Sequence, residues 1–126
     1  MNKTIMIIED DASFHNLYNE VLGDTDYEII HAYDGDEALM KLEEKRPDLI
    51  ILDIILDMMT GDTFFLYLKG MPGYADIPVI IASCCPKNDY KNLRDIDPSL
   101  VYIDKSYLTK ERLLDELDEK LSCSCK

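Results

Sequence analysis

The sequence predicts a doubly wound α/β fold, in which five parallel strands form one sheet with helices on both faces. Three observations predict it. Short isoleucine-rich runs recur without polar alternation, which is typical of strands buried on both faces. Segments with helical spacing of apolar residues separate these runs, as right-handed crossovers between parallel strands require. The length of 126 residues, 47% of them hydrophobic, suits one domain with its own core.

The predicted strands are the five apolar runs, of which the last has the weakest pattern. They are Thr4–Ile8, Tyr27–Ala32, Leu49–Leu52, Val79–Ala82 and Val101–Ile103. Strands that alternate with helices at this interval indicate a flavodoxin-like (βα)5 architecture, with the strand order 2-1-3-4-5. Ligands in such folds bind beyond the carboxyl ends of the strands, so these ends are where a functional site is expected.

The first two helices have clear start and stop signals. An apolar stripe with i, i+3, i+4, i+7 and i+8 spacing marks the first helix: Phe14, Leu17, Tyr18, Val21 and Leu22. Gly23 follows this stripe and predicts its end. The second helix is predicted to begin after Asp34, a capping residue with Glu37 three positions later, and Pro47 prevents its continuation.

Three further helices complete the pattern. Thr60 or Asp62 can cap the third, which ends at the Gly-Met-Pro-Gly segment 70–73. The fourth, after Pro86, has the weakest signal, and Thr109 can cap the fifth. The apolar residues of the third and fifth helices are Phe64, Phe65, Leu68, Leu113, Leu114, Leu117 and Leu121.

Composition excludes several classes of protein. The net charge of −13 disfavours direct binding to nucleic acid, which needs clustered basic residues. No apolar run approaches the roughly 18 residues of a membrane span, and the amino terminus lacks a signal-peptide pattern, so a cytoplasmic protein without a membrane contact is expected.

The four cysteines, at 84, 85, 123 and 125, lack zinc or redox spacing and are interpreted as free thiols. One domain is expected over residues 1–122, followed by a short tail at 123–126.

The acidic residues are concentrated in the first half of the chain. Residues 1–62 contain 16 acidic and 4 basic side chains, whereas residues 63–126 contain 10 and 9. A cation site is one explanation for this asymmetry, and ordinary solubility is the other. The positions of the acids relative to the strand ends distinguish these two explanations.

Polar side chains with complementary chemistry follow four of the strands. Glu9, Asp10 and Asp11 follow the first, Asp53 follows the third, Ser83 the fourth, and Lys105 lies just beyond the fifth. Any one of these matches is weak, because strands commonly end in polar residues. Their joint occurrence indicates a site at the carboxyl edge of the sheet.

These residue types suit metal-assisted phosphoryl transfer. Crowded carboxylates repel one another unless a divalent cation lies among them, and Mg²⁺ prefers such hard oxygen ligands. Asp10 and Asp53 can hold Mg²⁺, and a carboxylate oxygen of Asp53 can then attack phosphorus to give an aspartyl phosphate. Lys105 can pair with phosphoryl oxygens, and the Ser83 hydroxyl can donate to another.

At this point the chain resembles the receiver domain of two-component response regulators over essentially its whole length. The segment 7–11 resembles the acidic pocket of the family, 49–53 its phosphoacceptor strand, and 77–83 its switch strand. Gly61 matches the glycine eight residues beyond the phosphoacceptor. The separations of 43 residues from the acidic pocket to the phosphoacceptor, then 30 and 22 to the hydroxyl and the lysine, are also similar to those of the family.

The resemblance implies a set of ligands and a function for the domain. It implies direct Mg²⁺ ligation by Asp10 and Asp53, a water-bridged role for Glu9 and a backbone carbonyl ligand from Ile55. It also implies that Asp53 accepts a phosphoryl group from a histidine kinase or phosphotransfer protein. The domain would catalyse only its own phosphorylation and dephosphorylation, and so would not be an enzyme acting on other substrates.

The resemblance further implies a switch that alters a partner-binding surface. Tyr102 would be the aromatic switch residue, moving inward as Ser83 approaches the phosphoryl group, although an ordinary tyrosine at the end of a strand is the alternative. A charge of about −1.5 to −2 at the strand ends can bias such a two-state element. A downstream effector protein is the expected partner, and a phosphorylation-linked homodimer is left open.

Departures from the family pattern leave one alternative function open. Ser106 follows Lys105 where the family usually has proline, and Asp57 replaces another common proline. The chain could therefore be a degenerate receiver that acts as a phosphorylation-independent interaction module. A haloacid-dehalogenase-like phosphatase is disfavoured, because Ile55 stands where that family has its second aspartate. A flavodoxin-like cofactor binder is also disfavoured, since the acids at 9–11 would repel a bound phosphate.

The two histidines have only weak functional signals. His15 falls on the polar side of the first helix near the acidic pocket, where contact with a phosphodonor partner is one interpretation, and we expect instead a solvated surface residue. His31 ends the second strand.

Overall fold

The structure, a computed structural model, describes residues 3–53, 61–83, 93–98, 100–105 and 108–122. Its strands are β1 (Thr4–Ile8), β2 (Glu28–Ala32), β3 (Leu49–Leu52), β4 (Val79–Ser83) and β5 (Val101–Asp104). All pair in parallel within one sheet, in the order β2-β1-β3-β4-β5, which confirms the predicted topology. The chain therefore reverses direction of winding beside β1, at the edge where the sequence predicts a site.

Three strand boundaries differ slightly from the prediction. Tyr27 lies outside β2, because its backbone N–H is held by the Thr25 hydroxyl in the preceding turn. Ser83 belongs to β4 and pairs with Asp104, which extends both β4 and β5 by one residue. The Ser83 side chain is consequently positioned by regular strand geometry.

The helices are α1 (Ala12–Leu22), α2 (Gly35–Glu44), α3 (Gly61–Lys69) and α5 (Lys110–Ser122), with a short helical segment at 93–96 labelled α4. The segment 93–96 lies after Pro86, where the fourth helix was predicted, and Pro86 itself is outside the described residues. These positions match the five predicted βα units.

Side chains cap three of the helices, each through a backbone N–H of the first turn. Asp11 Oδ1 accepts from the Ser13 N–H of α1 at 2.8 Å. Asp34 Oδ1 accepts from the Glu37 N–H of α2 at 2.7 Å, as predicted. Thr109 Oγ1 accepts from the N–H of Arg112 at 3.1 Å, again as predicted. Each such cap contributes roughly 1 kcal/mol to stability.

The sequence predicts two candidates for the residue that caps α3. Asp62 lies within the helix and so is not the residue that caps it. The other candidate, Thr60, lies outside the described residues.

The core is divided into two layers by the sheet. Alternate strand residues pack with α2, α3 and α4 on one face and with α1 and α5 on the other. Nearly every residue of β1, β3 and β4 is fully buried, as their uninterrupted apolar runs predict. Burial of each Leu, Ile or Phe side chain contributes about 1.5–3 kcal/mol, so the three central strands are a rigid support for the groups at their ends.

The two edges of the sheet are β2 and β5. The outer strand β2 is only half-buried, and its first residue, Glu28, is exposed. Lys45, which follows α2, forms an ion pair with Glu28 at 2.7 Å. The edge of the sheet therefore begins with a charged pair.

Among the described helices, none combines the length and the apolar character that a bilayer crossing requires. The tail at 123–126 and the cysteines at 84 and 85 lie outside the described residues. The domain limits at 1–122 and the free state of the thiols therefore remain predictions.

Candidate functional site

Strand register brings the predicted acids together at the carboxyl edge of the sheet. Ile8 pairs with Leu52, so the next residues, Glu9 and Asp53, lie side by side at the ends of β1 and β3. Their backbones are held in place by hydrogen bonds, from Glu9 N–H to Ala32 O and from Asp53 N–H to Ile8 O, both at 3.0 Å. The site is therefore an extension of the three central strands.

Glu9, Asp10 and Asp53 form a compact group of carboxylates. Each offers one oxygen, and these oxygens lie within 4.8 Å of one another. Glu9 is 2% exposed and Asp53 is 5% exposed, whereas Asp10 is half-buried and reaches the surface of the pocket. Asp11, the remaining acid of this segment, is exposed and caps α1.

Lys105 lies against two of these carboxylates. Its Nζ is 2.9 Å from Asp53 Oδ2 and also forms an ion pair with Glu9 Oε1. The ammonium lies 4.0 Å from the centroid of the Phe14 ring, within range of a cation–π interaction. The lysine side chain is only 6% exposed, so these contacts take place largely away from water.

Burial and the neighbouring charges change the pKa values of two groups in the pocket. Burial, together with the nearby Asp53 carboxylate, raises the pKa of Glu9 to about 7 despite the hydrogen bond from Lys105. Burial alone would lower the pKa of Lys105, but its hydrogen bonds to Glu9 and Asp53 raise it overall. The lysine is therefore charged, and its ammonium lies against two of the three carboxyl groups.

Ser83 and Tyr102 are in contact at the next two strand ends. Ser83 is fully buried, and its backbone carbonyl accepts a hydrogen bond from the Tyr102 hydroxyl at 3.1 Å. The half-buried Tyr102 ring packs against the core layer that contains α3 and α4. The two residues assigned to the switch thus contact each other across β4 and β5.

The expectation that His15 is solvated is wrong. His15 is 2% exposed, and its Nε2 lies 2.6 Å from the backbone carbonyl oxygen of Glu9. Its spacing from Tyr18 and Leu22, the two other buried residues of α1, is i, i+3 and i+7, which is the signal that could have predicted burial. Sequence reasoning also missed His31, whose Nδ1 lies 2.5 Å from His15 Nδ1.

Several predicted participants cannot be placed in this geometry. Ile55, Asp57 and Ser106 lie outside the described residues, as do the cysteines at 84 and 85. The carbonyl ligand assigned to Ile55 and the departures at 57 and 106 therefore stay as predictions.

The donor set fits a hard divalent cation. Three carboxylates converge and supply only oxygen ligands, and the half-buried Asp10 leaves an approach from solvent. Their formal charge exceeds that of the single lysine beside them, so an additional cation would relieve the remaining repulsion. Mg²⁺ has the ligand preference and charge that this pocket suits.

Comparison with known proteins gives a consistent assignment. Residues 5–121 match the family profile described as the response regulator receiver domain. The polar-differentiation response regulator DivK of Brucella anthropi is 35% identical over 95 residues, which cover 75% of this chain and 77% of DivK. The alkaline phosphatase synthesis transcriptional regulatory protein PhoP of Bacillus subtilis is 43% identical over 61 residues. That match covers 48% of this chain and only 25% of PhoP.

Solved structures of similar fold include three response regulators. Chemotaxis protein CheY4 of Vibrio cholerae superposes with a TM-score of 0.85 at 25% identity, covering 94% of this chain and 98% of CheY4. The phosphorylated cyanobacterial phytochrome response regulator RcpA gives 0.84 at 27% identity, with coverages of 98% and 96%. The Mn²⁺-bound form of response regulator Rcp1 gives 0.80 at 26% identity, with coverages of 92% and 91%.

Proposed function

Because the chain belongs to the response regulator receiver domain family, whose members are signalling domains of CheY-like type, we propose that it is a phosphorylation switch with Asp53 as phosphoacceptor. One observation carries this proposal: Asp53 lies beside two further carboxylates and is in direct contact with a buried lysine. A nucleophile, a place for a divalent cation and a fixed positive charge are the groups that phosphoryl transfer needs.

The Asp53 carboxylate would attack the phosphorus atom of a phosphorylated histidine on the donor. The new O–P bond forms as the P–N bond breaks, and the leaving imidazole retains the electron pair and takes up a proton. Asp53 directly follows β3, which lies between β1 and β4, and its N–H is bonded to Ile8 O of β1, so its carboxylate can be presented in a fixed orientation.

Glu9, Asp10 and Asp53 are the residues that would hold Mg²⁺, with Glu9 acting through water and the Ile55 carbonyl as the further ligand that the family implies. When bound, Mg²⁺ would neutralise negative charge on the phosphoryl oxygens. The acidic pocket of this chain and the Mn²⁺-bound structure of the similar regulator Rcp1 both support this assignment.

Lys105 and Ser83 would stabilise the product. The Lys105 ammonium contacts Asp53 in the unphosphorylated protein and can instead pair with a phosphoryl oxygen once Asp53 is modified. The Ser83 hydroxyl at the end of β4 can donate a hydrogen bond to another phosphoryl oxygen. Since the Tyr102 hydroxyl is bonded to the Ser83 carbonyl, movement of Ser83 would disturb Tyr102 and alter the surface around β5.

The partners follow from this chemistry. A histidine kinase or phosphotransfer protein would donate the phosphoryl group, and an effector protein would bind the altered surface. The phosphorylated structure of the similar regulator RcpA supports phosphorylation as the signal. A phosphorylation-linked homodimer is a further outcome that sedimentation of the phosphorylated protein would detect.

Intact-mass spectrometry after incubation with acetyl phosphate and Mg²⁺ tests the proposal. We expect one added phosphoryl group on the wild type, and none on Asp53→Asn or in the presence of EDTA. Asp115→Asn, which removes an exposed acid of α5, is the matched control and should be labelled normally. Failure to label the wild type under conditions that label CheY4 would favour the alternative of a phosphorylation-independent interaction module.

A further inference from the structure

His15 lies buried between the carboxyl ends of β1 and β2. Its ring contacts the ring of Tyr33, with centroids 4.1 Å apart, and the ring of His31, with centroids 4.6 Å apart. Tyr33 is itself exposed, whereas His15 is buried. A histidine therefore occupies a position that an ordinary apolar core residue could have filled.

Both ring nitrogens of His15 have specific partners. A carbonyl oxygen can only accept, so His15 Nε2–H donates to Glu9 O over 2.6 Å. His15 Nδ1 lies 2.5 Å from His31 Nδ1, so the two rings are in direct contact. The other nitrogen of His31, Nε2, lies 2.9 Å from Asn19 Oδ1 on α1. The chain of contacts thus runs from α1 through β2 to the Glu9 carbonyl.

A hydrogen bond to the Glu9 carbonyl affects the geometry of the acidic pocket. It belongs to the planar peptide unit that joins Glu9 to Asp10, so its direction fixes the orientation of the bond between these two acids. The N–H of Glu9 is already held by Ala32 O at 3.0 Å. With its carbonyl bound by His15 as well, the Glu9 backbone is tied to the end of β2 through its N–H and to α1 through its carbonyl.

We propose that His15 is a positioning residue for the acidic pocket, which orients the Glu9–Asp10 peptide unit so that both carboxylates face the divalent cation. His31 contacts Nδ1 of His15, on the side of the ring away from Glu9, and helps to hold the ring in place. This inference rests on the proposed function, since it assigns His15 a role in the same cation site. Residues that hold metal ligands in place from a second layer typically change metal affinity by about 10–100-fold when substituted.

Calorimetric titration of the unphosphorylated protein with Mg²⁺ tests the proposal without requiring any phosphorylation. We expect His15→Leu to weaken Mg²⁺ binding about tenfold, because a leucine cannot donate to the Glu9 carbonyl. His15→Gln can keep an amide N–H near the position of Nε2, and should bind Mg²⁺ within about threefold of the wild type. His31→Leu removes only the contact that supports the His15 ring, and should give an intermediate loss of Mg²⁺ affinity. This variant tests the proposal if His15→Leu does not fold.

A second readout separates positioning from general stability. Phosphorylation by acetyl phosphate should be slower in His15→Leu at low Mg²⁺ and should recover at saturating Mg²⁺, because the reactive groups remain. The control is Leu117→Ala, which removes a buried contact of α5 away from the pocket and should lower stability without changing Mg²⁺ affinity.

The outcomes are distinguishable. If folded His15→Leu or His31→Leu binds Mg²⁺ as the wild type does, or no more weakly than Leu117→Ala, the positioning role is wrong while the proposed function stands. If the wild type binds no Mg²⁺, both proposals are overturned. Recovery of affinity in His15→Gln alone would support the hydrogen bond to Glu9 as the cause.

Discussion

The ammonium of Lys105 lies between the carboxylates of Glu9 and Asp53 and bonds to both. The lysine thus neutralises part of the negative carboxylate charge that a divalent cation would also neutralise. It is also the group proposed to move onto the phosphoryl oxygens, so its present contacts are ones it would exchange during the reaction.

Replacing Lys105 should make the folded protein depend on divalent cations. Lys105→Met leaves the buried carboxylates without their ammonium, and we expect the metal-free protein to lose about 3 kcal/mol of unfolding free energy. Mg²⁺ should restore much of this loss, since it supplies charge to the same carboxylates. Thermal unfolding in EDTA and in Mg²⁺ measures both effects. Lys110→Met, which removes an exposed ion pair, is the control, and an equal response of the two variants would contradict the prediction.

The pH dependence of stability should contain a contribution from Glu9. Its pKa is about 7 in the folded protein against the ordinary 4.5, so between these values the folded state binds more protons than the unfolded state. The free energy of unfolding in EDTA should therefore fall as pH rises from 4.5 to 7, by at most about 3 kcal/mol. The contribution is complete below pH 4.5 and lost above pH 7.

Urea unfolding of Glu9→Gln at several pH values isolates this contribution. The variant should lack the fall between pH 4.5 and 7 that the wild type shows. Glu20→Gln, at an exposed position of α1, should keep it. Parallel pH profiles for the wild type and Glu9→Gln would mean that Glu9 ionises normally.

The hydrogen bond between Tyr102 and Ser83 should contribute measurably to the stability of the unphosphorylated protein. Tyr102→Phe removes the hydroxyl that donates to the Ser83 carbonyl, and we expect a loss of about 1 kcal/mol in urea unfolding. Tyr67→Phe removes an exposed hydroxyl on α3 and should change stability little. Identical losses in the two variants would argue against a role for this contact.

The aromatic ring of Phe14 beside Lys105 should contribute to the free energy of unfolding. Phe14→Leu keeps an apolar side chain but removes the ring face near the ammonium, and should cost about 1 kcal/mol of unfolding free energy. Phe14→Tyr keeps a ring and should be nearly neutral. In Lys105→Met, the Phe14→Leu change should lose most of its effect, and this double-mutant cycle is the decisive measurement.

The sheet could be predicted from the sequence because its central strands are buried on both faces and read as uninterrupted apolar runs. The meeting of Glu9 and Asp53 follows from the parallel register, in which equivalent strand ends lie side by side. The partners of Lys105 could not be predicted, since the spacing along the chain does not determine which carboxylates a flexible side chain reaches.

The histidines illustrate a different limit. The apolar stripe of α1 contains Phe14 and Tyr18, but the buried side of the helix is centred on His15, Tyr18 and Leu22. A polar residue on that side is stable there because the Glu9 carbonyl and His31 satisfy its nitrogens. Those partners come from other elements, so a stripe drawn from the apolar residues alone left His15 out of the buried side, although its helical spacing from Tyr18 and Leu22 matches that side.

The charged start of the outer strand β2 has a consequence for self-association. An unpaired strand edge offers free backbone groups on which another molecule could continue the sheet and aggregate. The exposed Glu28, paired with Lys45, places ionised side chains at this edge, and bringing two such edges together would require stripping water from them. Growth of the sheet from molecule to molecule is therefore opposed at the β2 edge.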